Sequence, residues 1–242
     1  MVVQAVAPPL RGAALSAQRW ANLTFLHWPV EPDAVQRFMP AGVRPDVIDG
    51  VTYVALVPFQ MRGAGPGGRL RVPYFGDFCE TNVRLYSVDD EGRSGIVFRT
   101  LESDRLSTTL LARWGLGLPY TWSKMRAVHA GDLWRYTSAR RWPRTGRHPL
   151  RSELTVRVGD PVEPTPLEVW LTARWGLHTR LAGRTVWIPN EHGAWPLHSA
   201  DILGLDDDLV AGTGIPVTGE MLRPLFSPGV RTTFGLPIVV SR

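Results

Sequence analysis

Glycine and proline interrupt this chain so often that long helices are disfavoured over most of its length. The 242 residues include 24 Gly and 21 Pro, which are spread as breaks between short segments. Both residues disfavour the interior of a helix, and both are common in turns. Short segments separated by turns are typical of sheets, so the sequence predicts a β-rich α+β fold rather than a helix bundle.

Hydrophobic patterning locates the individual elements of this fold. Residues 153–158 alternate apolar and polar side chains, as a strand with one buried face does. Thr165 and Glu168 form a capping box with a proline at the first helical position, which indicates the start of a helix. We predict short helices at residues 31–39, 104–114 and 166–174. Further strands are predicted at residues 51–61, 78–88, 95–101, 125–129, 133–140, 177–181 and 184–189, with an extended tail at residues 230–240.

The chain has no internal repeat and no linker that would divide it. We therefore expect a loose N-terminal lead-in at residues 1–17 and a single domain at residues 18–242. Residues 63–68 are rich in glycine, but Pro66 interrupts them and no helix follows, so they predict a flexible loop. Because the sequence lacks a phosphate-binding glycine loop and a dinucleotide fingerprint, we predict no cofactor.

The chain is basic, with a formal net charge of +5 and a pI of about 10.0, which raises the question of nucleic-acid binding. Basic residues cluster only at residues 135–151, and the others are mixed with acidic residues. The sequence has no zinc-finger spacing, no aromatic RNA-binding signature and no basic helix. We therefore predict no nucleic-acid partner.

Cysteine and histidine usage argues against a disulfide framework and against a metal site. Cys79 is the one cysteine, which excludes an internal disulfide and fits a reducing, cytoplasmic location. His192 and His198 lie six positions apart, whereas two metal ligands on one helix face are three or four apart. No apolar run reaches the roughly 18 residues that span a bilayer, so we predict no membrane contact.

The most suggestive chemical pattern lies on the segment predicted to form the second strand. Glu80, Asn82, Arg84 and Tyr86 occupy every second position, which places them on one face of a strand. Such a row could line a wet cavity and hold an anion or a carbonyl group. It could also form a solvated sheet face that carries a Glu–Arg pair. Alternation alone leaves both interpretations open.

Several motifs occur in order along the chain: WANLTFLHWPV at 20–30, PAGV at 40–43, FCETNVRLY at 78–86, GIVF at 95–98 and LPY at 118–120. Over residues 18–235 the sequence resembles the YqjF-like family of bacterial proteins (domain of unknown function 2071). That family is similar in turn to the acetoacetate decarboxylases. The resemblance implies a strongly curved antiparallel sheet that closes into a cone or barrel around an apolar cavity, with short peripheral helices.

The resemblance also implies that Glu80 faces the cavity, as a strand glutamate does in the decarboxylases. In those enzymes a lysine that follows a proline forms a Schiff base with the substrate. Here Tyr120 stands after Pro119, and a phenol cannot form an imine. Lys124 is the remaining candidate for such an amine, but it lies four residues further on, about 13 Å along a strand. We therefore expect no lysine imine.

We predict that the cavity binds a small metabolite with a carbonyl or carboxylate group. The protein is then either a cofactor-free lyase, isomerase or cyclase, or a non-catalytic binding or sensing protein. In the catalytic interpretation Glu80 and Tyr120 form the acid–base pair, and Arg84 and Arg113 hold an anionic group. The other candidates for ligand contact are Asn82, Tyr86, Met61, Phe98, Trp187 and Trp195. The sequence leaves the oligomeric state open.

Overall fold

The computed structural model describes residues 5–10, 12–67, 76–144 and 146–241. Strands account for 56% of the structure and helices for 12%, which confirms the β-rich fold class. The helices of this part of the chain are α1 (Pro32–Gln36), α2 (Leu106–Leu116), α3 (Pro166–Thr172) and α4 (Leu209–Gly212). Its strands are β1 (Ser16–Val30), β2 (Val43–Pro45), β3 (Thr52–Pro66), β4 (Phe78–Asp89), β5 (Ser94–Ser103), β6 (Tyr120–Ala130), β7 (Leu133–Trp142), β8 (Arg151–Pro161), β9 (Gly176–Leu181), β10 (Arg184–His192), β11 (His198–Asp207), β12 (Leu225–Phe234) and β13 (Ile238–Val239).

These strands form one large curved sheet. Its order is β13-β10-β9-β5-β6-β7-β8-β11-β12-β1-β3-β4-β2, with additional pairings of β10 with β12 and of β5 with β4. Because β4 pairs back with β5, the nine strands from β5 round to β4 close into a ring. The pairings are antiparallel except that β5 runs parallel to both β6 and β9. The prediction of a curved, mainly antiparallel sheet is confirmed.

Two clusters of buried apolar side chains pack against this sheet, and β4 contributes to both. Phe78 and Tyr86 belong to the first cluster, which also contains Phe59, Leu101 and other residues of β3 and β5. Val83 and Leu85 belong to the second cluster, together with residues of β1, β3, β8 and β12. Since both faces of β4 are covered, its polar side chains do not lie on a solvated surface.

The three helices predicted from the sequence exist, with shifted boundaries. α1 ends at Gln36, three residues before the predicted end, and α2 begins at Leu106, two residues after the predicted start. The capping box of α3 is present: the Thr165 hydroxyl accepts from the Glu168 amide at 3.3 Å, and the Glu168 carboxylate accepts from the Thr165 amide at 2.8 Å. This reciprocal pairing satisfies two free backbone donors and fixes the start of α3.

The prediction of a flexible loop at residues 63–68 is wrong over its first four residues. β3 continues through this stretch to Pro66, where Ser16 pairs with Pro66 and Ala17 with Gly65. The end of the expected lead-in therefore forms the start of β1 and supplies a partner strand to the glycine-rich segment. Such a pairing depends on residues almost 50 positions apart and has no local signal. Residue 68 lies outside the described residues.

Other differences concern strands with weak patterns. β6 begins at Tyr120, five residues before the predicted strand, because Leu101 and Glu102 of β5 pair with Tyr120 and Thr121. β1, β2 and β11 are absent from the predicted strands; β11 is largely exposed and lacks a continuous apolar face. Within the described ranges, no helix combines the length and the apolar character needed to cross a membrane.

Candidate functional site

A cavity of about 670 Å³ opens among β1, β3, β4, β5 and α2. This volume is typical of a pocket for a small molecule. Most of its wall is apolar, and it includes three of the residues predicted to form it: Met61, Phe98 and Trp195. Further apolar contributions come from Trp20, Val57, Phe59, Leu101, Leu118, Ile188 and Phe234.

Strands β4 and β6 bring four polar side chains to this largely apolar cavity. Glu80, Asn82 and Arg84 reach it from β4, and Tyr120 reaches it from the first position of β6. The sheet register brings the two strands together, because Leu101 of β5 pairs with Asn82 on one side and with Tyr120 on the other. Glu80 is 3% exposed and Arg84 is 8% exposed. The alternative of a surface Glu–Arg pair is therefore wrong.

Glu80 and Tyr120 form a buried hydrogen-bonded pair. The Tyr120 hydroxyl donates to Oε2 of Glu80 at 2.7 Å, and Nδ2 of Asn82 donates to Oε1 at 3.3 Å. Burial raises the pKa of Glu80 to about 7, although the hydrogen bonds from Tyr120 and Asn82 oppose this rise. Burial and the adjacent Glu80 raise the pKa of Tyr120 well above its usual value. Near neutral pH, Tyr120 thus keeps its proton while Glu80 is poised to gain or lose one.

Arg84 is the most unusual group in the cavity. Its Nε and Nη2 atoms are buried and have no hydrogen-bond partner among the described residues. The guanidinium lies over two rings, with centroids 5.7 Å away in Phe25 and 6.0 Å away in Tyr86. Within the described part of the chain, no carboxylate forms an ion pair with it. A buried cation without a counter-charge is costly, so the site is suited to an anionic ligand.

The structure does not bring four of the predicted site residues to this cavity. The Tyr86 hydroxyl donates to the carbonyl of Leu171 at 3.0 Å, so its ring is part of the core beside α3. Nη1 of Arg113 donates to the backbone carbonyl of Tyr120 at 3.0 Å, and its side chain lines a different pocket. Lys124 is exposed on β6. Trp187 packs against Gly176, outside the wall of the cavity.

The predicted Trp195 belongs to an aromatic group whose other members, Trp20 and His192, were not predicted site residues. Trp20 and Trp195 stack at 6.0 Å with planes only 7° apart, and the His192 ring lies 4.9 Å from Trp195. Burial lowers the pKa of His192 to about 4; the hydrogen bond to Gly193 opposes this change and the charge of Arg84 adds to it. His192 is thus neutral at physiological pH. In the described ranges, no group of three His, Cys, Asp or Glu side chains could hold a metal ion.

Helix α2 contributes a wall that the sequence did not indicate. Ser107, Thr108, Leu111, Ala112 and Leu116 line the cavity. The helical spacing of leucines in this segment predicted the helix but not the surface that it covers. Leu111 remains largely exposed, which places it at the mouth of the cavity rather than in its interior.

Comparison with known proteins identifies the family. The model of the DUF2071 family, described as an uncharacterized conserved protein, matches residues 17–231. The chain therefore belongs to this family. It is 27% identical over 195 residues to the uncharacterized protein YqjF of Bacillus subtilis (strain 168), with 78% of each chain covered.

Solved structures with the same fold include an acetoacetate decarboxylase and an enduracididine biosynthesis enzyme. Acetoacetate decarboxylase from Legionella pneumophila superposes with a TM-score of 0.68 at 14% identity, covering 97% of this chain and 92% of that one. The enduracididine biosynthesis enzyme MppR in complex with pyruvate superposes with a TM-score of 0.64 at 17% identity, covering 98% and 92%. At these identities the comparisons establish a shared fold.

Proposed function

We propose that the cavity binds a small metabolite that carries both a carbonyl group and a carboxylate, and that Glu80 transfers a proton on it without a cofactor. The observation that carries this proposal is Arg84, whose buried guanidinium has two nitrogen atoms without a partner and, unlike Arg174, no ion pair among the described residues. A carboxylate can accept both N–H groups side by side, which is the geometry that a guanidinium fork favours. The fold relatives support the choice of ligand, since MppR is known in complex with pyruvate.

The remaining polar groups suit the chemistry of such a ligand. With the carboxylate on Arg84, the carbonyl lies within the polar corner formed by Asn82, Glu80 and Tyr120, and the rest of the molecule contacts apolar walls. Ionised Glu80 then takes a proton from the carbon next to the carbonyl. The electrons of the broken C–H bond move to the carbonyl oxygen, and the resulting enolate accepts hydrogen bonds from Asn82 and Arg84. Lyase, isomerase and cyclase reactions of carbonyl compounds share this step.

One observation favours the alternative, a binding or sensing protein. Both carboxylate oxygens of Glu80 already accept hydrogen bonds, from Tyr120 and Asn82. A carboxylate held in this way recognises a ligand well but is a weaker base. Proton transfer would then require Tyr120 or Asn82 to turn towards the ligand.

Proton exchange in heavy water distinguishes the two functions. We expect the protein to catalyse incorporation of deuterium into the methyl group of pyruvate, followed by proton NMR, because enolate formation and its reversal exchange those hydrogens. A titration of pyruvate by calorimetry measures binding in the same samples. If pyruvate binds but exchanges deuterium no faster than in buffer, the protein is a binding protein. If pyruvate neither binds nor exchanges faster than in buffer, the proposed function is contradicted.

A lysine imine is not part of this chemistry. Among the described residues that line the cavity there is no amine, and Lys124, the single lysine of the sequence, is exposed on β6. We therefore expect that borohydride reduction in the presence of acetoacetate or pyruvate leaves the intact mass unchanged. Peptide mapping with Lys124→Arg as the control locates any adduct. A reduced adduct on Lys124 that this variant lacks would overturn the prediction.

A further inference from the structure

A second, smaller pocket lies on the opposite side of the wall that β5 and β6 form. We define the arginine pocket as this space of about 210 Å³ lined by Arg99, Arg113, Arg140 and nearby threonines. Consecutive residues of the wall face the two spaces alternately. Leu118 and Tyr120 line the main cavity, whereas Pro119 and Thr121 line the arginine pocket.

A β-bulge directs Arg99 into the arginine pocket. Along β4, Val83 pairs with Thr100 but the next residue, Arg84, pairs with Phe98, so Arg99 has no partner in the register. Bulges commonly re-aim a side chain in this way. As a result Arg99 and Thr100 both line the arginine pocket, while Phe98 and Leu101 on either side line the main cavity.

The arginine pocket contains more cationic side chains than anionic ones. Arg140 forms an ion pair with the buried Glu102. Arg113 contacts only neutral groups in the described structure, namely the Tyr120 carbonyl and the ring of Trp142 at 5.3 Å. Arg99 lies 4.1 Å from the ring centroid of Phe38, and its buried Nε has no partner among the described residues. None of the described lining residues is acidic.

A fourth guanidinium increases the charge further. Arg37 lies over the same Phe38 ring, at 4.7 Å, and donates to the carbonyl of Gly214. Burial lowers the pKa of Arg99, and the charge of the neighbouring Arg37 adds to this change. Like charges are held together at a cost unless an anion neutralises them.

We infer that the arginine pocket is a binding site for a phosphate group. Three guanidinium groups converge there from β5, α2 and β7, and one of them is neutralised by Glu102, which leaves two charges for a dianion. Phosphate offers oxygens in several directions and can accept from forks on different elements, whereas a carboxylate presents its two oxygens in one plane. Thr100, Thr121 and Thr213 also line the pocket, but their hydroxyls donate to Glu102 and to the carbonyls of Leu101 and Val210, so the guanidinium groups are the donors available to the anion.

Titration with inorganic phosphate at constant ionic strength tests this site. We expect saturable binding to the wild type by calorimetry and a rise in the unfolding midpoint that sodium chloride does not reproduce. The double variant Arg99→Met, Arg113→Met should bind at least about tenfold more weakly. The control Arg126→Met removes an exposed arginine elsewhere on β6 and should behave as the wild type. A phosphate monoester, glycerol phosphate, measured in parallel shows whether free or esterified phosphate is preferred.

Two results would overturn the phosphate site. One is a wild type that responds to phosphate only as it responds to chloride. The other is a double variant that binds as tightly as the wild type. If the double variant does not fold, phosphate is titrated into the single variant Arg113→Met instead. Binding as tight as that of the wild type would then overturn the site. The variant Arg84→Met distinguishes the arginine pocket from the main cavity. It should leave phosphate binding unchanged and weaken only the binding of a carboxylate.

Discussion

Replacing Arg84 with methionine is expected to weaken the binding of pyruvate by roughly 30-fold or more while the protein remains at least as stable as the wild type. The bound carboxylate would lose a charge-assisted pair of hydrogen bonds in a buried site, which costs about 2–5 kcal/mol, or roughly 30-fold or more in affinity. The free protein, by contrast, would lose a buried cation that has no counter-charge among the described residues. Calorimetry measures the first effect and thermal unfolding the second.

Arg174 provides a matched control, because it is also a buried arginine in contact with aromatic rings. Its guanidinium lies 3.8 Å from the ring centroid of Trp170, and Nη1 donates to the buried Asp46. Arg174→Met leaves the Asp46 charge unpaired, so it should destabilise the fold by about 3–5 kcal/mol. If Arg84→Met destabilises the protein as strongly as Arg174→Met, Arg84 is a structural cation rather than a ligand-binding one.

The polar residues of β4 show what the sequence could and could not predict about the site. Strict alternation in FCETNVRLY places Glu80, Asn82 and Arg84 on one face of a strand, and the structure brings all three to the main cavity. Alternation cannot distinguish an open sheet face from an enclosed one. That distinction depends on the closure of the ring by β4 and β5, a pairing that involves the whole sheet.

Tyr86 and Arg113 illustrate the limit of local patterns. Tyr86 continues the alternation, but it packs beside Trp170, with ring centroids 5.1 Å apart, so its hydroxyl meets α3 instead of the cavity. Arg113 lies on a helix that lines the main cavity with Leu111 and Ala112, yet its own side chain lines the arginine pocket. A helix presents its residues to all sides, and only tertiary packing decides which side faces which space.

Glu80→Gln is expected to lower the rate of deuterium exchange into pyruvate by about 10²–10⁴-fold, because an amide cannot accept the proton as a general base does. Pyruvate binding should change little, since Arg84 still holds the carboxylate. In the wild type the exchange rate should rise with pH as Glu80, whose pKa is about 7, becomes ionised. The variant should lack this rise. A wild-type rate that is independent of pH through this range would contradict the assignment of Glu80 as the base.

Thermal unfolding at two pH values checks that Glu80→Gln acts through the proton rather than through the fold. Because burial raises the pKa of Glu80 to about 7, the protonated carboxyl stabilises the folded state below the unfolded pKa. That stability is lost as the pH rises through about 7. Glutamine resembles the protonated form, so the variant should match the wild type near about pH 4, below the unfolded pKa, and exceed its stability near about pH 8, by at most roughly 3 kcal/mol. If the variant is less stable than the wild type at both pH values, its loss of deuterium exchange reflects a damaged cavity. The role of Glu80 as the base would then depend on how the wild-type exchange rate varies with pH.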